Sequence, residues 1–272
     1  MSIDNIAFAD LYRQQWALNG RTEKAPEHWD RRAEKLAQGC DHPDNAYLRQ
    51  LLAKIDLQGA ATLLDMGCGP GSVCLPLADK LTHVYGVDYS QGMLQAARKR
   101  AQQAGVDNLR LIRRAWEENW DDLPVCDIAV ASRSTLVADL AQALAKLNQK
   151  ARLRVYTTHL VRPYFISPLI QRLLGREVTA YPTYIYAVNL LYQMGIYAHV
   201  DFIRDPRLPP DPEDFERFAE SVSWSGGTLS CEDRQRLYEL WQQQRRQGTL
   251  STLIPPRDWA LVWWDSSSTA GV

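Results

Sequence analysis

The chain has 272 residues, 46% of them hydrophobic, enough for a full core in one large domain or two small ones. Its charges nearly cancel, to a net charge of -1, which excludes the overall basic field of a general nucleic-acid binder. The five cysteines (40, 68, 74, 126, 231) are odd in number and form no C-x-x-C pair, so neither a disulfide framework nor a metal site is expected. Residues 6–19 place Phe8, Leu11, Tyr12 and Trp16 at helical spacing, stopped by Gly20. That helix either packs on the domain or acts as a lid, with Tyr12 and Trp16 as substrate contacts. A polar stretch with His28-Trp29-Asp30-Arg31-Arg32-Ala33-Glu34 follows, and Leu48, Leu51, Leu52 and Ile55 mark an amphipathic helix ended by Gly59.

Residues 61–64 read as a short buried strand leading into Asp65-Met66-Gly67-Cys68-Gly69-Pro70-Gly71-Ser72. Glycine suits a tight turn and the close approach of a ligand to bare backbone. Val73-Cys74-Leu75 then begins a helix, so strand, glycine turn and helix N-terminus form a nucleotide-binding corner. Residues 82–88 read as a second strand ending on Asp88, about 20 residues after Gly67, where a carboxylate accepts the hydroxyls of an adenosine ribose. Ser90 caps a helix over 91–104 that carries Met93, Leu94, Ala97 and Ala101 on one face and stops at Gly105.

A dinucleotide oxidoreductase would show G-x-G-x-x-G/A, but the sixth position here is Ser72. The acid followed by G-x-G-x-G, together with Gly86-Val87-Asp88-Tyr89-Ser90-Gln91-Gly92-Met93-Leu94, resembles the class I S-adenosylmethionine-dependent methyltransferases. The likeness is strongest over 60–105 and fades by about residue 156. It implies an α/β, doubly wound, mostly parallel seven-stranded sheet, six strands parallel and one antiparallel, with N-terminal helices and a helical insertion. It also implies S-adenosyl-L-methionine as cofactor, S-adenosyl-L-homocysteine as product, and an in-line displacement at the sulfonium methyl. Asp65, Gly67, Gly69 and the turn that holds Cys68 would approach the methionine part, Asp88 would take the ribose, and Tyr89 and Met93 would be further cofactor contacts. The Trp29–Arg32 stretch resembles the family's W-D-x-R-A segment, which makes Trp29 and Arg32 cofactor contacts.

Residues 108–113 read as the third strand. The family's acid for the adenine amino group is missing just beyond it, where Ala115 stands instead. The backbone N–H near Ala115 and the ring face of Trp116 are the remaining adenine contacts. Residues 126–131 make the fourth strand, and Ser132-Arg133-Ser134 follow its carboxyl end, where ligands of open α/β sheets lie. Ser132 is a cofactor candidate. Arg133 is a weak catalytic candidate that could pair with an anionic substrate or with the cofactor's carboxylate, its alternative being a surface arginine at a helix start. The absence of N/D-P-P-Y here argues against base and glutamine amides as acceptors. A helix carries Val137, Leu140, Ala141, Leu144 and Leu147, and a fifth strand over 152–156 leads to His159, a weak general-base candidate.

Residues 161–194 exceed the minimal fold and include a helix over 182–194. Tyr164, Tyr184 and Tyr186 could wall an aromatic acceptor pocket, with a homodimer contact as their competing use. A sixth strand over 196–204, a proline-rich break, helices over 213–221 and 231–247, and a last strand over 258–264 complete the chain. The reading is one domain over 1–265: helical cap 1–58, cofactor core 59–160, insertion 161–194, C-terminal strands and helices 195–265, and a disordered tail 266–272. No basic leader with an apolar run and no stretch of ~18 apolar residues is present, so a cytoplasmic protein away from membranes is expected. A small-molecule methyl acceptor is favoured over nucleic acid. The alternatives are an RNA or protein methyltransferase using Arg98-Lys99-Arg100 and Arg113-Arg114, a non-catalytic S-adenosylmethionine-binding protein, and, more distantly, an NAD-dependent reductase.

Overall fold

A computed structural model of the chain describes residues 2–18, 25–40, 45–178, 180–204, 214–253 and 257–266. Four helices come first: α1 (Phe8–Leu18), α2 (Pro26–Asp30), α3 (Ala33–Cys40) and α4 (Ala46–Lys54). Strands and helices then alternate as β1 (Thr62–Met66), α5 (Cys74–Leu77), β2 (His83–Asp88), α6 (Gln91–Ala104), β3 (Leu109–Arg113), β4 (Cys126–Ala131), α7 (Leu140–Gln149) and β5 (Ala151–Leu160). The rest is α8 (Pro168–Leu173), α9 (Tyr184–Gln193), β6 (His199–Ile203), α10 (Phe215–Gly226), α11 (Cys231–Arg246) and β7 (Trp259–Asp265).

The seven strands form one sheet in the order β3-β2-β1-β4-β5-β7-β6. β1 pairs in parallel with β2 and β4, β2 with β3, and β4 with β5, while β7 runs antiparallel to both β5 and β6. Six strands therefore share a direction and one opposes them, as the resemblance implies. The chain winds outward from β1 to β3 and then returns to β4, so the strand order reverses between β1 and β4. In open α/β sheets ligands lie outside the carboxyl ends of the strands at such a switch point.

Alternation along the strands separates two cores. Leu64 and Met66 face Tyr12, Trp16, Leu144 and Leu190 on one side, and Leu63 faces Tyr47, Leu51, Leu94 and Tyr156 on the other. A third, smaller cluster joins Ile170, Phe218, Leu237 and Trp241 of α8, α10 and α11.

The predicted helix over 91–104 has the expected bounds, because Ser90 Oγ accepts from Met93 N at 3.1 Å and Gly105 takes φ 67 at the C-cap. Ser230 and Asp233 form the expected capping box at the start of α11. The fifth strand is longer than expected and includes Thr157, Thr158 and His159, because β7 pairs with it as far as Leu160↔Trp259. The helix expected from Val137 begins at Leu140, where the Asp139 side chain accepts from Gln142 N. Proline-started α8, capped by Ser167, was not anticipated. Ser266 N donates to Leu153 O at 2.7 Å, and the remainder of the expected tail, 267–272, lies outside the described residues, as do the proline-rich break after Arg204 and Gly20. Among the described residues no helix is long and apolar enough to cross a membrane.

Candidate functional site

The glycine turn leaves β1 and folds against the end of β2. Gly67 N and Cys68 N both donate to Val87 O, at 2.8 and 3.0 Å. All three glycines have positive φ, but space around them differs. A Cβ on Gly67 would lie 2.3 Å from Ser134 Cβ, and one on Gly71 would lie 2.7 Å from Leu75. At Gly69 the nearest atom would be Met93 Sδ at 3.9 Å, an ordinary contact. Gly67 and Gly71 are therefore packing positions, and Gly69 is where the turn presents bare backbone. Cys68 is turned under the turn into the core, its free thiol hydrogen-bonded to that of Cys74, which with burial raises its pKa.

Two buried carboxylates flank this turn. Asp65, 1% exposed, accepts from Cys74 N at 3.1 Å through Oδ2, while Oδ1 is buried with no hydrogen-bond partner. Burial pushes its pKa up to about 7, and the nearby Asp88 adds to the shift. Asp88 accepts from Ser90 N through Oδ1 and from Gly69 N through Oδ2, both at 2.9 Å, yet burial still raises its pKa. Among the described residues neither acid forms a salt bridge. Two neighbouring buried carboxylates without a countercharge are costly, and a ligand bearing positive charge relieves them. Among the described residues no group of three or more His, Cys, Asp or Glu side chains could hold a metal ion.

The N-terminal segment docks on this corner through a residue that the sequence reading passed over. Asp30 Oδ1 accepts from Ser90 Oγ at 2.5 Å and Gly92 N at 2.7 Å, and the bond from Ser90 leads the lowering of its pKa. A Cβ on Gly92 would strike Asp30 Cα at 2.8 Å, so the absence of a side chain lets α2 approach. Trp29 stacks edge-on against His28, with centroids 5.1 Å apart, and Arg32 Nη1 contacts the same imidazole, so both candidates lie beside the start of α6. The bare position in Gln91-Gly92-Met93 was the available signal for such a contact.

The loop after β4 borders the glycine turn at the switch point. Ser134 Oγ donates to Met66 O at 2.7 Å, and Ser132 Oγ is 2.8 Å from Tyr47 Oη, which also lies 2.9 Å from Thr158 Oγ1. Arg133 is exposed, as its surface-arginine reading has it, but no helix starts there. Instead it takes φ 55 and sets its guanidinium over the Tyr47 ring, 4.2 Å from the centroid. Tyr47, fully buried in α4, is not singled out by the sequence, where it only shares the helical spacing of Leu51 and Ile55.

Other candidates stand differently from expectation. Ala115 N is engaged by Glu118 Oε2 at 2.5 Å, so a carboxylate three residues on occupies the N–H expected to meet adenine. Trp116 leans on Trp120 with centroids 5.2 Å apart. His159 is buried inside β5, with Nδ1 3.1 Å from Thr135 Oγ1 and Nε2 2.8 Å from Thr157 Oγ1. Burial holds its pKa down at about 3, so it is a neutral side chain with both nitrogens engaged, a poor geometry for a general base. Tyr12 donates to Val137 O at 2.6 Å and meets the edge of Tyr186, whereas Tyr184 meets Phe202. Tyr164 lies half-buried in the segment before α8. The aromatic candidates thus divide between separate contacts instead of forming one wall, and Trp16 belongs to the core with Tyr12.

The family described as "Methyltransferase domain" matches residues 63–152. An uncharacterised protein of Haemophilus influenzae is 37% identical over 266 residues, 97% of this chain and 98% of its own length. The trans-aconitate 2-methyltransferase of Azoarcus sp. is 41% identical over 70 residues, which are 25% of this chain and 27% of that protein. The solved structure of coclaurine N-methyltransferase with N-methylheliamine and S-adenosylhomocysteine shares the fold at TM-score 0.55 and 13% identity, with 97% of this chain and 95% of that one covered.

Proposed function

Since the chain belongs to the class I S-adenosylmethionine-dependent methyltransferases, we propose that it transfers the methyl group of that cofactor to a small-molecule acceptor in the crevice between β1 and β4. The observation that carries the cofactor assignment to residues is the orphaned Oδ1 of Asp65. A buried carboxylate oxygen without a donor, at the mouth of a glycine turn, fits the ammonium of a methionine moiety. Asp88 keeps a second lone pair on each oxygen for the ribose hydroxyls, beyond those engaged by Gly69 N and Ser90 N. Gly69 offers backbone without a side chain in the way. Ser132 and Met93 border the same edge.

When bound, S-adenosylmethionine supplies an electrophilic methyl on a sulfonium sulfur, already a good leaving group. The chain's part is then to align the acceptor and keep water out. Among the described residues, the general-base candidate His159 has both ring nitrogens engaged, which suits an acceptor that arrives deprotonated. The small-molecule reading draws support from the trans-aconitate enzyme that is 41% identical over 70 residues, and from the near-zero net charge. Arg114, half of one basic cluster available to RNA, pairs with Asp122 at 2.7 Å.

Parallel calorimetric titrations with S-adenosylmethionine, S-adenosylhomocysteine and NAD test the cofactor. Binding of the two sulfur compounds and none of NAD is expected. Binding of NAD alone would remove the assignment of Asp65 and Asp88.

A further inference from the structure

Arg133 is, among the described residues, the only non-glycine with a left-handed backbone. That conformation crowds the Cβ of an L-residue and persists only where the surroundings impose it. Here they do so on three sides. Arg133 N donates to Thr158 Oγ1 at 2.8 Å, Ser132 is tied to Tyr47, and Ser134 is tied to Met66 and packed on Gly67.

The outcome of this strain is the position of the guanidinium. It rests over the ring of Tyr47, a shelf that is itself buried and held by the hydroxyls of Ser132 and Thr158. Arg133 is exposed, and no carboxylate of the described residues forms an ion pair with it. A guanidinium stacked through its face keeps its edge donors for a planar oxyanion. The residue stands at the carboxyl end of β4, one position from the serine that touches the glycine turn, which is the place an acceptor must reach.

We infer that the methyl acceptor carries an oxyanion, a carboxylate or a phosphate, and that Arg133 on its Tyr47 shelf binds it. This rests on the methyltransferase reading above and narrows its substrate class. The strained backbone is explained as the means of presenting the guanidinium at the crevice.

The test combines a panel of small carboxylic acids and phosphate monoesters, each paired with its neutral amide or alcohol, with isotopically labelled S-adenosylmethionine as donor. The wild-type protein is compared with Arg133→Gln, Arg133→Lys and Arg133→Gly, the last of which accepts the positive φ and guards against misfolding. Label should pass only to oxyanion members, and which arm is labelled tells carboxylate from phosphate. Arg133→Gln and Arg133→Gly should raise KM for the acceptor by at least about tenfold, Arg133→Lys by less, and the Kd for S-adenosylhomocysteine should not move. Equal labelling of neutral members, or labelling of no oxyanion, overturns the inference while leaving the cofactor assignment intact. A tenfold weaker Kd in Arg133→Gln also overturns it, by giving the arginine to the cofactor. Failure of the wild type to bind S-adenosylhomocysteine would remove the methyltransferase reading itself, and this inference with it.

Discussion

Ser134 occupies the space that any side chain at Gly67 would need, its Cβ 2.3 Å from where a Cβ would project. The turn after β1 and the loop after β4 are thereby locked together at the switch point of the sheet. Gly67→Ala meets this obstruction and an unfavourable φ of 70, whereas Gly69→Ala meets only φ 55, with Met93 Sδ at 3.9 Å. Urea denaturation should show a loss of about 1–2 kcal/mol for Gly69→Ala, from backbone alone, and a larger loss for Gly67→Ala. S-adenosylhomocysteine affinity should suffer in both. Equal stability of the two variants would contradict the packing role of Ser134.

Asp65 makes cofactor binding depend on pH in a defined direction. Its folded pKa of about 7 lies above the ordinary 3.8, so below neutrality the carboxyl holds a proton and cannot accept an ammonium as an anion. Affinity for S-adenosylhomocysteine should rise roughly tenfold from pH 6 to pH 8, with a proton released on binding at the lower pH. Asp65→Asn should bind weakly with a flat profile. The protein without ligand should show the opposite trend from this group. Stability from a raised pKa is fully present below 3.8 and is lost as pH rises through about 7. Asp65→Asn should therefore gain on wild type toward pH 8 in chemical denaturation without ligand. A flat wild-type affinity profile would remove the ammonium assignment.

The corner was legible because its signals are local. An acid before alternating glycines, a second acid at a strand end, and Ser90 and Gly105 bounding a helix each depend on residues within a turn of one another. Contacts across the sheet left no such mark. Tyr47 carries the periodicity of a core residue, and nothing near it in sequence announces Ser132, Thr158 or Arg133. Glu118 hides in an acidic surface run, although it reaches back to Ala115 N. The length of β5 was misjudged because Thr157-Thr158-His159 looks polar, whereas pairing with β7 extends the strand through them and all three are buried, His159 bonded to Thr157 and Thr158 to Tyr47.

His159 gives a second pH-dependent outcome, distinct from that of Asp65. Its folded pKa of about 3 lies below the ordinary 6.5, so its stabilising contribution is complete above 6.5 and is lost as pH falls through that value toward 3. His159→Gln, which retains polar atoms for Thr135 and Thr157, should flatten the acid limb of the stability curve and leave the pH–rate profile above pH 7 in its wild-type shape. Loss of the acid limb of the pH–rate profile would instead make His159 the general base, against the geometry around both of its nitrogens.

Tyr186 ties α1 to α9, and that restraint decides how α1 behaves. Its ring meets Tyr12 edge-on at 5.6 Å, its hydroxyl donates to Gln15 Oε1 at 2.6 Å, and Tyr12 in turn donates to Val137 O. An aromatic pair and a hydrogen bond together are worth about 2 kcal/mol. Tyr186→Ala should lower global stability by roughly that amount and speed amide exchange throughout α1, with little change in S-adenosylhomocysteine affinity. Tyr184 meets Phe202 of the edge strand and packs on the core, with no ring pair or hydrogen bond to α1 among the described residues, and Tyr184→Ala should cost less and leave exchange in α1 unchanged. If Tyr186→Ala instead kept wild-type exchange in α1 while altering acceptor KM, the side chain would wall the acceptor crevice, and α1 would need another restraint.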